Sequence, residues 1–415
     1  MTEPANPPEK RESLGRAFLA NVWTTNPVTV TVLAFVLAMI TGGILIVVSD
    51  PAVRATFSYF FARPGDALTA SWDVVSAAYA NLLKGAIVDP QTVERAIDGQ
   101  VSWKQVFYPI SETLLYATPL IFTGLAVAIA FRGGLFNIGA EGQVIMGGIA
   151  AALAGFLLPL PYGLHLLVAL LAGALGGAFW GSIAGGLKAR TGAHEVITTI
   201  MLNYIALYFL GWLILQDGIQ DPGRTDAISS KVDQTARLPL LVGDPLRVHL
   251  GIVLAILVTF GVAWVLRRST FGFELRAVGL NPDAARTAGM GIGRTYTLVM
   301  LVAGALAGLA GSSMALGTAF ALTPSFSGNV GFTGITVALL GRAKPWGVLL
   351  AGLLFGAMQA GGNRMQIASQ ISIELVVVLQ ALIVIFVAAP ALVKAIFQLR
   401  TAKTGRLETS MARGW

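Results

Sequence analysis

Residues 28–48 read VTVTVLAFVLAMITGGILIVV, an apolar run without a single charge. Roughly 20 such residues in a helix match the hydrocarbon thickness of a bilayer. Lys10, Arg11 and Arg16 precede the run, as in a signal peptide, but it is too long for a signal-peptide core. The residues after it (Ser49, Asp50, Pro51, Ala52, Val53 and Arg54) also lack a small-residue cleavage pattern. It reads as a first span that stays in the protein.

Blocks of this kind recur along the chain, which is 55% apolar and only 12% charged, against about 25% charged in ordinary soluble domains. The pattern predicts an all-α membrane protein with about ten transmembrane helices. They fall near 28–48, 110–131, 136–157, 163–187, 194–215, 249–267, 295–317, 326–341, 346–362 and 372–395. An even number of spans puts both termini on one side. The short turns holding Arg132, Lys188 with Arg190, Arg267 to Arg294, and Arg342 with Lys344 make that side cytoplasmic.

The chain then divides into a cytoplasmic tail (1–27), a transmembrane domain (28–395) and a second cytoplasmic tail (396–415). Two long external segments, 49–109 and 216–248, mix basic and acidic residues, as long translocated loops do. Val74, Val75, Ala78, Leu82 and Leu83 predict a helix lying on the outer surface in the first. Asp217, Asp221, Pro222, Gly223, Asp226 and Asp244 mark the second as an ordered loop.

The net charge of +7 fits the basic bias of cytoplasmic turns better than a nucleic-acid surface. The absence of cysteine excludes disulfides and thiolate chemistry, and His165, His194 and His249 are too scattered for a metal centre. His194, at the start of a span, reads as an interfacial or capping residue.

Glycines recur at helical spacing within spans, at Gly173, Gly177, Gly181 and Gly185 and again at Gly304, Gly308 and Gly311. Small residues at this spacing let membrane helices approach closely. Two other stretches interrupt the apolar blocks. Residues 133–143 read GGLFNIGAEGQ, and residues 323–334 read TPSFSGNVGFTG. Breakers and polar groups at membrane depth are tolerated where they are buried in protein or line a cavity. The first stretch could instead be a cytoplasmic turn, but it is read as lying beside a transport path, as in broken-helix transporters. The two stretches are loosely parallel, a weak sign that 110–215 and 295–395 are diverged repeats. Asn203, two turns into its span, needs a partner for its amide, either a neighbouring helix or a ligand.

The longest cytoplasmic segment, 268–294, contains RAVGLNPDAARTAG at 276–289. Asn281 reads as an N-cap, Pro282 as the first helical residue and Gly289 or Gly291 as the stop. Ala284, Ala285 and Ala288 are expected to form a narrow face able to enter a groove on another protein.

This segment resembles the coupling loop of bacterial ABC importer permeases of the branched-chain amino acid and ribose class. The stretches GLFNIGAEGQ at 134–143 and EVITTIMLNY at 195–204 narrow the resemblance to the nucleoside and simple-sugar branch. It covers roughly 110–395, leaving out the N-terminal tail and the first external segment. It implies a multi-pass permease of the bacterial cytoplasmic (inner) membrane, transporting a nucleoside, a purine one first, or a simple sugar. The implied partners are a second related permease forming a heterodimer, a cytoplasmic ABC ATPase and an extracytoplasmic substrate-binding protein or lipoprotein. ATP and Mg would sit on the partner ATPase, with no cofactor on this chain, which lacks a phosphate-binding Gly-Lys-Ser/Thr loop.

For such a substrate, Phe136 and Phe326 would offer faces to a base, and Asn137, Glu141, Asn203 and Asn329 polar groups to the path. Simple packing of both Phe rings remains an equal alternative. Gly279, Asn281, Pro282, Ala284, Ala285, Ala288 and Gly289 would couple to the ATPase. An ion-coupled transporter would want carboxylates deep in the spans, whereas Glu112, Glu141, Glu195 and Glu374 lie near predicted ends. A membrane-embedded enzyme would need a catalytic constellation that the sequence does not display.

Overall fold

The computed structural model describes residues 27–397; the tails expected on either side lie outside the described residues. The helices are α1 (Pro27–Ser49), α2 (Pro51–Phe57), α3 (Pro64–Ala86), α4 (Pro90–Ile97), α5 (Trp103–Val106), α6 (Tyr108–Arg132), α7 (Ala140–Leu157), α8 (Leu164–Thr191) and α9 (Glu195–Leu213). They continue as α10 (Gly251–Arg268), α11 (Thr270–Leu280), α12 (Pro282–Thr287), α13 (Ile292–Met314), α14 (Val330–Leu340), α15 (Pro345–Ser369), α16 (Glu374–Ala388) and α17 (Pro390–Ile396). Among the described residues the protein is helical, with only two isolated β-bridges.

Seven helices are long and apolar enough to cross a membrane, or eight if α16 and α17, bent by 89° to each other, form one span. The expected spans at 326–341 and 346–362 fall short of that standard for different reasons. α14 has 11 residues, too few to cross a bilayer alone. α15 has 25 residues but carries Gln359, Asn363, Arg364 and Gln366 in its second half.

Helix α6 is the axis of the bundle. Phe122, Ile121 and Leu125 are fully buried and pack with Phe355 of α15, Val337 of α14 and Met300 of α13 in one core. Where α8 crosses α13 the glycine rows face each other: a Cβ on Gly177 would lie 2.3 Å from the Gly304 oxygen, and one on Gly308 would lie 2.2 Å from the Gly173 oxygen. The backbones touch because no side chain stands between them, as small-residue packing in membranes requires.

The segment before α6 is largely helical, and α3 does not lie apart on a surface. It packs between α1 and α15, with the Tyr79 hydroxyl donating to the Met39 carbonyl at 2.5 Å. A Cβ on Gly361 would lie 2.2 Å from the Leu82 oxygen. Ala78 and Leu82 are buried in this contact while Leu83 faces out. The apolar stripe read as a surface contact is thus a helix-packing stripe.

Residues 216–250 cap one end of the bundle by backbone pairing with the stretch after α13. Leu238 N–H donates to the Leu316 carbonyl at 2.9 Å, Val232 N–H to Phe320 at 2.9 Å and Ser229 N–H to Leu322 at 3.0 Å. His165 ties the same loop to α7, with its ring nitrogens 2.7 Å from Thr235 Oγ1 and 3.0 Å from the Ala154 carbonyl. The opposite end gathers the turns 133–139, 188–194, 267–291 and 341–344.

Candidate functional site

The two polar interruptions meet inside the bundle. After α13 the chain makes a π-helical turn at Ala315–Ala319, then runs without helix until α14 begins at Val330. This non-helical stretch passes along α7: a Cβ on Gly148 would lie 2.2 Å from the Phe326 ring, and one on Gly331 would lie 2.3 Å from Glu141 N. The expected span 326–341 is therefore part turns and part short helix. Gly328 (φ 53°) and Asn329 (φ 61°) turn the chain into α14 in the left-handed region.

A helix that starts inside a bundle has N–H groups that water does not reach. Both helices at this junction solve that with side chains. For α14, the Glu141 carboxylate accepts Gly331 N–H at 2.8 Å and the Ser327 hydroxyl also donates to it. For α7, Asn137 Oδ1 accepts Gly139 N–H at 3.0 Å and Asn203 Oδ1 accepts Gly142 N–H at 2.8 Å. Asn137 Nδ2 donates to Gln143 Oε1 at 3.1 Å, and Asn203 Nδ2 to the Ile138 carbonyl at 3.0 Å.

These bonds sort the residues singled out in the sequence. Asn137 is fully buried and its amide is engaged on both sides. Phe326 is buried against Gly148. Phe136 stacks on Phe131, with centroids 5.1 Å apart, at the basic end of the bundle and apart from the other five. Glu141, Asn203 and Asn329 come together around one cavity of about 510 Å³, with Tyr204, Ser325 and Phe332 completing its wall.

Gly328 and Asn329 separate this cavity from a second one of about 480 Å³. The second lies between α6, α13, α15 and α16, and its polar lining includes Tyr116, Arg247, His249, Gln359 and Gln380. Sequence reasoning missed all five. The signal was present for Gln380, an amide in the row Val376, Leu379, Ile383 and Val384 that α16 buries. Arg247 is held by two bonds from its guanidinium to Glu112, one of 2.8 Å.

At the basic end, α11 and α12 form a separate feature. Asn281 Oδ1 accepts Asp283 N–H at 3.1 Å and Ala284 N–H at 3.0 Å, and Pro282 opens α12, as the sequence predicts. Gly289 closes it with φ 83°. Gly279 packs against the turn after α6, where a Cβ would lie 2.1 Å from the Arg132 oxygen. The expected alanine face is split: Ala284 and Ala288 are exposed, but Ala285 is 4% exposed and turned into its own chain. Leu280, 88% exposed, stands beside the two outward alanines instead.

Residues 110–388 match the family described as branched-chain amino acid transport system / permease component. Relatives include the guanosine ABC transporter permease protein NupP of Bacillus subtilis, 43% identical over 69% of this chain and 84% of its own. The nucleoside ABC transporter permease protein NupB of Lactococcus lactis is 39% identical over 73% of this chain and 84% of its own. The glucose ABC transporter permease protein TsgB13 of Haloferax volcanii is 35% identical over 67% and 76%. Both bacteria also hold a second matching permease, each 29% identical over 60% of this chain. No solved structure matches. Sequence and helical architecture agree, and the chain belongs to the branched-chain amino acid transport system permease family.

Proposed function

We propose that this chain is the permease subunit of an ATP-driven importer that carries nucleosides across the bacterial cytoplasmic membrane. The observation that carries the reading is the 43% and 39% identity to guanosine and nucleoside permeases, each over 84% of the relative's length. A path along that junction fits transporter physics, because unwound backbone between short helices supplies polar groups where intact helices would present none. In this reading Glu141 and Asn203 hold the path open and Asn329 faces the substrate.

About ten crossings complete the topology when the non-helical stretch 320–329 and α14 are taken as one and α15 as another. The end with Arg132, Lys188, Arg267, Arg276 and Arg342 is then cytoplasmic, as are both termini. Reporter tags after residue 232 and after residue 280 should lie on opposite sides. ATP hydrolysis falls to a cytoplasmic partner engaged at Leu280, Ala284 and Ala288, a second related permease completes the pore, and an external binding protein delivers substrate. The paired permeases of the two bacterial relatives support a heterodimer.

The test is uptake by the assembled importer in a host without its own nucleoside uptake. Guanosine uptake should saturate, stop on ATP depletion, survive an ionophore and ignore excess glucose. Glucose import without nucleoside import would replace the substrate, and collapse under the ionophore with ATP intact would remove the ATP drive.

A further inference from the structure

We propose that the cavity between α6, α13, α15 and α16 is a nucleobase compartment in which the Gln380 amide reads the edge of the base. The inference rests on the nucleoside reading and goes beyond it, because this cavity lies across Gly328 and Asn329 from the one lined by Glu141 and Asn203.

Gln380 is the anomaly that points to a ligand. It occupies the buried stripe of α16 between Val376, Leu379, Ile383 and Val384, where packing alone calls for an apolar side chain. It is 7% exposed, lines the cavity and makes no hydrogen bond with any described residue. No side-chain nitrogen or oxygen among the described residues is both enclosed and unpaired, so the amide end of Gln380 opens onto the cavity while the rest of the side chain is buried, and a ligand that displaces the water there has to supply its hydrogen bonds. Gln359 lines the same cavity from α15, also without a hydrogen-bond partner among the described residues. Two amides without a partner among the described residues, Gln380 buried and Gln359 half-buried, thus open onto one cavity from consecutive helices.

The rest of the lining specifies the ligand. An amide presents a donor beside an acceptor, the same pattern that a nucleobase edge presents, so the two can pair through two parallel hydrogen bonds. Tyr116 accepts from Asn363 Nδ2 at 2.9 Å, which leaves its O–H free to donate and its ring free to face a planar group. Leu115, Leu120, Met314 and Val377 give the wall an apolar part that suits a flat base, and the hydroxyls of Ser313, Thr318 and Thr333 line another part. The guanidinium of Arg247 is already paired with Glu112, so the compartment asks for a neutral ligand. Its volume of about 480 Å³ lies within the range of small-molecule sites, about 300–1,000 Å³.

The experiment compares guanosine with purine riboside, whose base lacks exocyclic groups, in uptake by the assembled importer carrying Gln380→Leu. The KM for guanosine should rise about tenfold while that for purine riboside stays within about twofold, at unchanged amounts of complex. An unchanged guanosine KM, or an equal loss for both substrates, would overturn the proposal. Wild-type importer labelled with 8-azidoguanosine gives a reading that needs no variant. Label on peptides from α15 or α16 is expected, and label confined to α7 and α9 overturns it. If wild-type importer takes up no nucleoside, the nucleoside reading falls and this inference with it. Wild-type uptake with an unaffected Gln380→Leu variant removes the inference alone.

Discussion

Glu141, on the first turn of α7, accepts the backbone N–H of Gly331, on the first turn of α14, at 2.8 Å across 190 residues of sequence. A carboxylate at a helix N-terminus meets both the unpaired N–H groups and the positive end of the dipole. The bond joins the two polar interruptions of the chain and fixes where the short helix begins. Replacing Glu141 with Gln keeps an acceptor, so uptake and thermal stability should stay close to normal. Glu141→Leu leaves the Gly331 N–H unmet at a cost of about 1–3 kcal/mol, read as earlier unfolding in detergent and lower uptake. Equal behaviour of the two variants would show that the cap is dispensable.

Asn137 and Asn329 should behave differently although both looked like path residues. Asn137→Leu removes the cap of α7 from a fully buried site, so the amount of folded protein should fall together with uptake. Asn329→Gly removes an exposed amide at a position whose φ of 61° glycine accepts without strain. That variant should assemble normally and transport poorly. Normal uptake by Asn329→Gly would take this residue out of the path.

The glycine rows allow a paired test in helix interiors. A Cβ on Gly308 meets backbone 2.2 Å away, whereas one on Gly211 of α9 meets nothing within 4 Å. Gly308→Ala should destabilise by at least about 1–3 kcal/mol, since a backbone cannot rotate out of the way. Gly211→Ala should be neutral or stabilising by roughly 0.5–1 kcal/mol through helix propensity. Thermal unfolding of both variants in the same detergent checks the contrast.

The coupling test belongs on Ala284 and Ala288. Ala285→Glu would bury a carboxylate within this chain and so report on folding. Ala284→Glu lies on an exposed face, so stability should change by no more than about 0.5 kcal/mol. Substrate-stimulated ATP hydrolysis by the assembled importer should nonetheless be lost. Full stimulation in Ala284→Glu and Ala288→Glu would place coupling elsewhere.

Asp89, outside the candidate spans, and Arg364, near the end of α15, supply a pH-dependent contact. Burial pushes the Asp89 carboxyl up, but its bond from Arg364 at 2.5 Å, with help from Gln91 N–H and Thr92, outweighs this and holds it below the usual range. A depressed folded-state value contributes stability that is fully present above the unfolded one of about 3.9 and is lost as pH falls through the lower folded-state one. Asp89→Asn should therefore cost about 1–2 kcal/mol at pH 7, discounted because the Arg364 side chain is 36% exposed. The gap to wild type should close below about pH 4. A gap that persists at pH 3 would assign the loss to packing.

Long apolar runs decide by themselves that this chain is helical and lives in lipid, because only helices and closed barrels satisfy a backbone there and runs of about 20 apolar residues are helix length, about twice that of a barrel strand. The N-cap of α12 at Asn281 and the small-residue rows of α8 and α13 were equally legible, since both are local patterns with one physical outcome. What lay between distant segments was not legible. That Glu141 caps α14, that Ala285 turns inward while Leu280 stays out, and that α3 packs into the bundle depend on which backbones meet, and one sequence does not carry that information. Gln380 is the intermediate case. The sequence placed an amide on an apolar stripe, but only the tertiary structure put Gln359 and an open cavity in front of it with no partner to satisfy it.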